Sequence, residues 1–325
     1  MSYSTGFSID RDGLVDTIRA FCITNGWTVN QYGAKNTGYL LCMQKATGAG
    51  HTVYVSIRSV NNETFPTLII AGPNNTNNSS GILISMSTGY DASKDVYNQP
   101  GAIVRTNNSA NYYCGVLYPI SAVSTYWMYG YTSPETICIV LQLPDGQYRH
   151  LVFGDIYKTT AFTGGQYFFT SNGSMRAEGD VQRTYQGLPF EFEDNTGGPN
   201  GSGFIRCDLD GRNGWWDTAA SNYTRNPLHL DVEGCVAGTR LLDNLALDNS
   251  VNSFSGIGAL FPVNLFAHYT QIHKYKPIGY LPWLRVCLKA AYVPDSVQAI
   301  GPDHWKVHPS VGPASPYSIA YKFDF

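Results

Sequence analysis

Turn-forming residues cut this chain into short runs, and that rhythm constrains the fold more than any other feature of the sequence. Residues 39–45 and 52–59 are apolar or β-branched and flank Thr47-Gly48-Ala49-Gly50, the pattern of a hairpin. Residues 67–71 and 81–87 are similar runs on either side of an Asn/Ser-rich stretch at 73–80. A meander follows over 122–131, 136–143 and 147–157. Its last turn is Pro144-Asp145-Gly146, where Pro pre-sets φ and Gly accepts a positive φ. Residues 283–292, 305–308 and 318–325 read as three more strands. The spacing of these short runs and turn signals predicts a mainly β chain, a β-rich α+β fold of antiparallel sheets or a sandwich.

One segment departs from that rhythm by being helical. Leu14, Ile18, Phe21 and Cys22 recur at i, i+4, i+7 and i+8, which puts them on one stripe of an N-terminal amphipathic helix over Arg11–Thr24. Asp10 is its expected N-cap, and Asn25-Gly26 supplies residues that tolerate a left-handed stop. Trp27 then opens an extended segment, so the helix is expected to lie as a lid on a sheet.

A second departure sets the expected organisation. From Gly173 to Asn226, Gly, Asn and Asp recur with little periodicity. The chain therefore divides into a β-rich part with the helix at 1–172, a segment at 173–226 that reads either as a Gly/Asn-rich loop or arm or as a domain boundary, and a C-terminal β part at 227–325 that could pack on the first. The middle segment nonetheless keeps Phe190, Phe192, Phe204, Trp215 and Trp216, which a solvated linker would not need. Aromatics spaced along a Gly-rich segment suit contacts made after folding, and these five are the interface candidates.

Charge narrows the function classes. Only 14% of the 325 residues are charged, while Tyr numbers 23 and Gly 33. A charge-poor, tyrosine-rich surface suits protein–protein contact better than a free enzyme. With 21 Lys+Arg against 24 Asp+Glu and no basic run, nucleic acid is not an expected partner. No apolar stretch is long enough for a membrane span, and MSYSTGFSIDRDG has neither the basic nor the apolar region of a secretory signal. The seven Cys are scattered without a C-x-x-C pair and sit mostly in apolar runs, which predicts reduced core thiols.

Catalytic and metal-binding patterns are incomplete. No G-x-S-x-G elbow, phosphate loop or dinucleotide fingerprint occurs, so no cofactor is expected. Asp208, Asp210, Asn213 and Asp217 space oxygen ligands as a calcium loop does, but Gly falls at the seventh position and Ala219 at the twelfth. His304 and His308, four apart and with His273 as a third candidate, share one face of a strand without forming adjacent ligand sites. Glu191, Glu193, Asp194, Asp208 and Asp210 supply carboxylates, yet no spacing places a pair across a cleft as glycoside hydrolysis needs. Trp127, Trp283 and Trp215-Trp216 could stack on sugars, but such residues are more often core or interface anchors.

Several strings carry a family resemblance. They are Ile84-Ser-Met-Ser-Thr-Gly-Tyr-Asp91, Tyr97-Asn-Gln-Pro-Gly101, Thr125-Tyr-Trp-Met128, Gln147-Tyr-Arg-His-Leu-Val-Phe-Gly-Asp155 and Phe162-Thr-Gly-Gly-Gln-Tyr167. With Trp305-Lys-Val-His-Pro309 and Ser318-Ile-Ala-Tyr-Lys322, the wording resembles minor virion structural proteins of tailed bacteriophages. His308 stands where that pattern has Phe. The resemblance covers roughly 80–170 and 300–325. It implies a non-enzymatic part of a tail, baseplate or neck, made in the host cytoplasm and built into the virion beside copies of itself and neighbouring proteins. A receptor- or carbohydrate-binding module at the virion tip, meeting a host surface receptor, is the first alternative; a glycan-degrading phage enzyme is the second.

Overall fold

The computed structural model describes residues 1–63, 79–102, 104–107, 110–113, 116–118, 122–159, 164–171, 204–207, 216–217, 234–237, 260–269, 274–288, 293–309 and 317–324. Strand β1 (Ser2–Ser8) and helix α1 (Arg11–Thr24) open the chain. Then come β2 (Thr28–Lys35), β3 (Gly38–Ala46), β4 (Thr52–Glu63), β5 (Ser79–Ser87), β6 (Val104–Asn107), β7 (Ala110–Tyr113) and β8 (Val116–Tyr118). The meander is β9 (Val123–Thr132), β10 (Glu135–Gln142) and β11 (Tyr148–Asp155), followed by β12 (Tyr157–Lys158) and β13 (Gln166–Ser171). Short strands β14 (Phe204–Cys207), β15 (Trp216–Asp217) and β16 (Gly234–Ala237) lead to β17 (Phe261–Tyr269) and β18 (Lys274–Leu288). The chain closes on β19 (Val297–Ile300), β20 (Asp303–Pro309) and β21 (Tyr317–Lys322).

These strands form three antiparallel sheets and a β6–β7 ribbon. The central sheet runs β1-β9-β10-β11-β13-β14-β15, the N-terminal sheet β2-β3-β4-β5-β8, and the C-terminal sheet β16-β17-β18-β21-β20-β19 with β12 on β18. Among the described residues the mainly β fold with one N-terminal helix is thus the one expected. The helix has the expected bounds: the Asp10 carboxylate accepts from the Gly13 N–H at 2.6 Å, and Gly26 takes φ +74° just past its end. The turn of the meander holds Gly146 at φ +79°. Of the runs expected as strands, 67–71 lies outside the described residues.

The core follows from the two-residue period of the central strands. In β9–β11, Met128, Ile137, Ile139, Leu141, Leu151 and Phe153 point to one side. There they meet Leu41, Met43, Val53, Val55, Ile57, Ile82 and Ile84 of the N-terminal sheet, together with the α1 stripe of Leu14, Val15, Ile18, Phe21 and Cys22. Trp127, Tyr129, Tyr131, Cys138, Val140, Tyr148 and Val152 point the other way and meet Leu281, Leu284, Ile319, Tyr321 and Phe323. At β9–β11 the central sheet is buried on both faces. That is why β11, Y-R-H-L-V-F-G-D, is buried at all eight positions despite its Arg, His and Asp.

Of the segment expected as a loop or arm, Phe204–Cys207 and Trp216–Asp217 extend the edge of the central sheet, Phe204 opposite Thr170 and Trp216 opposite Cys207. The C-terminal β part reaches the first through the β12–β18 pairing, Tyr157 opposite Tyr280, and through the side chains described next.

Candidate functional site

The side of the central sheet that faces the C-terminal sheet is built from aromatic rings with polar ends. The run Trp127-Met128-Tyr129-Gly130-Tyr131 alternates, so its three rings share a face. Tyr129 stacks on Tyr321 with centroids 5.2 Å apart, and Tyr131 stacks on Trp283 at 4.6 Å with the planes 3° apart. Each hydroxyl or ring nitrogen brought into this layer costs free energy unless it finds a partner.

The partners come mostly from across the layer. His150 Nε2 lies 2.8 Å from the Pro309 carbonyl, which can only accept, so Nε2 carries the proton and donates. Its Nδ1 is then the acceptor for the Tyr321 hydroxyl at 2.7 Å. His308 Nε2 lies 2.7 Å from the Tyr129 hydroxyl, the Tyr131 hydroxyl donates to the Lys322 carbonyl at 2.6 Å, and the Trp283 indole N–H donates to the Pro134 carbonyl at 2.9 Å. Among the described residues His308 Nδ1 has no hydrogen-bond partner, although it is buried. The result is a joint: two sheets held by stacking plus hydrogen bonds whose geometry fixes their register.

Burial sets the protonation of the joint. Desolvation lowers the His150 pKa to about 4, with the nearby Arg149 charge acting in the same direction and the Pro309 hydrogen bond opposing. His308 is pushed well below the ordinary histidine value by burial, then by His150 and Lys306. Tyr129 and Tyr131 are pushed well up, chiefly by burial. At neutral pH every member is uncharged, and the joint works by hydrogen bonding and stacking.

Two further polar clusters fix loops to sheets. At the β3–β4 turn, Thr47 Oγ1 lies 3.4 Å from His51 Nδ1, and His51 Nε2 lies 3.3 Å from the buried Asp155 carboxylate. The order is that of a hydroxyl–imidazole–carboxylate line, but the hydroxyl is buried in the hairpin and also contacts the His51 carbonyl at 3.2 Å. The line docks the turn on β11, helped by the Gly48 N–H donating to Glu135 at 3.1 Å. On the outer face of the N-terminal sheet, fully buried Arg58 meets Glu63 at 3.0 Å and Asp95 at 3.3 Å, which pins the loop containing Asp95 over Leu40, Val60 and Leu83.

The residues singled out in the sequence fall as follows. Phe190, Phe192, Trp215, Asp208, Asp210, Asn213, Glu191, Glu193, Asp194 and His273 lie outside the described residues. Phe204, Trp216 and Asp217 are placed by backbone pairing in β14 and β15, Asp217 opposite Arg206. His304 is half-buried, whereas His308 is wholly inside the joint. Among the described residues no three His, Cys, Asp or Glu side chains group as metal ligands. Trp127 and Trp283 both belong to the joint. Cys22, Cys42 and Cys138 are buried free thiols; burial raises all three, Cys42 to about 11. No helix among the described residues is long and apolar enough to cross a membrane.

Compared with known proteins, the chain matches no family model and no curated protein.

Proposed function

We propose that this chain is a structural component of a tailed-phage virion, most directly of the tail or baseplate. It acts without catalysis, through interfaces with copies of itself and with neighbouring virion proteins. One observation carries the reading. The strings that resemble the phage family, 147–155 and 305–322, are far apart in sequence but meet in the joint, where His150 of β11 bonds Tyr321 and the Pro309 carbonyl. The resemblance therefore falls on the residues that hold two sheets in register. Supporting it are a surface drawn from a chain with only 14% charged residues and buried thiols suited to a reducing cytoplasm.

The test is made on particles. Virions produced from a genome encoding this chain are purified and analysed by mass spectrometry and cryo-electron microscopy. The expected result is the chain at a fixed copy number with density in the tail or baseplate. Its presence in the lysate but absence from purified virions would overturn the reading.

A further inference from the structure

Strand β1 is the outermost strand of the central sheet. It pairs with β9 on one side, and among the described residues no strand pairs with its other side. An open edge of this kind is usually blunted by Lys, Pro or a bulge. β1, Ser2-Tyr3-Ser4-Thr5-Gly6-Phe7-Ser8, has no charge and no Pro. The one irregularity in its pairing, between Gly6 and Ser8, spans two steps on β1 and three on β9, from Tyr126 to Val123. The extra residue belongs to the inner strand, so the outer edge of β1 runs regularly to Ser8. Beside that edge, Phe7 is 72% and Ile9 77% exposed, the two most exposed large apolar side chains of the N-terminal region.

We propose that the β1 edge pairs antiparallel with the β1 edge of a second copy of this chain. The sequence of the strand selects the occupant, because it is self-complementary about Thr5. A two-fold axis there sets Tyr3 opposite Phe7, Ser4 opposite Gly6, Ser2 opposite Ser8, and Thr5 opposite its own copy. Aromatic pairs directly across an antiparallel ladder are stabilising, and no like charges face one another. Tyr3 is already half-buried against Phe323 at 4.9 Å and Tyr129 at 5.4 Å, so Phe7 of the second copy would join an existing aromatic cluster. The nearby Lys306 lies 2.9 Å from Asp295, so its charge is offset on the same flank. Main-chain pairing supplies the affinity and the aromatic pairs supply the register.

The proposal rests on the reading of the chain as an assembly part, though not on its place in a particle. It is tested by sedimentation velocity of the full chain over a concentration series, since a seven-residue edge is a small interface and dimerises only as concentration rises. Thr5 is exposed, so Thr5→Lys and Thr5→Glu are expected to fold, as circular dichroism would verify. The wild-type chain should shift from monomer to dimer mass with concentration. Each variant alone should stay monomeric because like charges meet at the two-fold axis, and an equal mixture of the two should recover the dimer. Variants that dimerise like the wild type would overturn the edge while leaving assembly through another surface intact. A mixture that stays monomeric would overturn the register. A wild-type chain that is monomeric at every concentration would overturn self-pairing altogether and leave assembly to rest on heterologous contacts.

Discussion

The two faces of the central sheet solve the same burial problem with different chemistry. Toward α1 and the N-terminal sheet the face is Met128, Ile137, Ile139, Leu141, Leu151 and Phe153, side chains that need no hydrogen bond, with buried Asp155 at its edge against His51. Toward the C-terminal sheet it is Trp127, Tyr129, Tyr131, Tyr148 and His150, where the Tyr129 and Tyr131 hydroxyls and both His150 ring nitrogens take specific partners. Aliphatic packing is non-directional and tolerates changes of shape. A layer of hydrogen-bonded rings is directional, so it holds one register and responds to protonation. The first face makes a core, and the second makes a joint whose composition is that of a protein–protein interface.

The largest expected effect of a single substitution lies on the aliphatic side. Phe153 is fully buried and packs edge-on against Trp27 at 5.3 Å. Phe153→Ala should cost about 3–5 kcal/mol, read from denaturant unfolding, because it removes a buried ring and leaves a cavity. A cost near zero would mean that this face is not the main core.

Acid should act on the other side. The folded-state pKa of His150, about 4, lies below its ordinary value of 6.5, so the folded chain binds fewer protons than the unfolded one. Its contribution is fully present above about pH 6.5, is lost as pH falls toward about 4, and is level below that. His308 shifts in the same direction. The loss from His150 alone is on the order of 3 kcal/mol by linkage. Unfolding free energies measured between pH 7 and 4 should show it, and His150→Gln should flatten the profile. A profile unchanged by that substitution would separate acid sensitivity from the joint.

A smaller effect sharpens the contrast by its non-additivity. Tyr129→Phe or His308→Phe alone leaves a buried polar atom without its partner and should cost about 1–3 kcal/mol. The double substitution replaces both partners with apolar rings, and it places at 308 the Phe of the phage pattern. It should cost clearly less than the two single changes together. Strict additivity would mean that the 2.7 Å Tyr129–His308 contact contributes nothing specific.

What was legible in the sequence was what local pattern controls. The α1 stripe, the Asp10 cap and the Pro144-Asp145-Gly146 turn are statements about neighbouring residues, and the helix and meander fell where those signals put them. β1 was not legible, because Ser, Thr and Gly give it little apolar alternation; its partners on β9 are 115 or more residues away. The joint was legible only as parts. Trp127, Trp283 and His308 stood out as residues, but Tyr129 and His308 are separated by 179 positions and nothing local joins them. Arg58, His51 and Asp155 gave no signal, since the burial of a charge in a strand depends on what covers it. One clue was available: Leu151-Val152-Phe153 puts apolar residues on both faces of β11, which fits a strand buried on both sides.

The most direct test of the contrast between core and joint is amide hydrogen exchange resolved by segment at pH 7 and near pH 4, corrected for the intrinsic pH dependence of exchange. The predicted result is that β18, β20 and β21 lose protection in acid while α1 and β3–β5 keep theirs, because His150 and His308, the two histidines that burial holds neutral, lie on the joint side. Simultaneous loss of protection in all of these segments, or earlier loss in α1 and β3–β5, would contradict it.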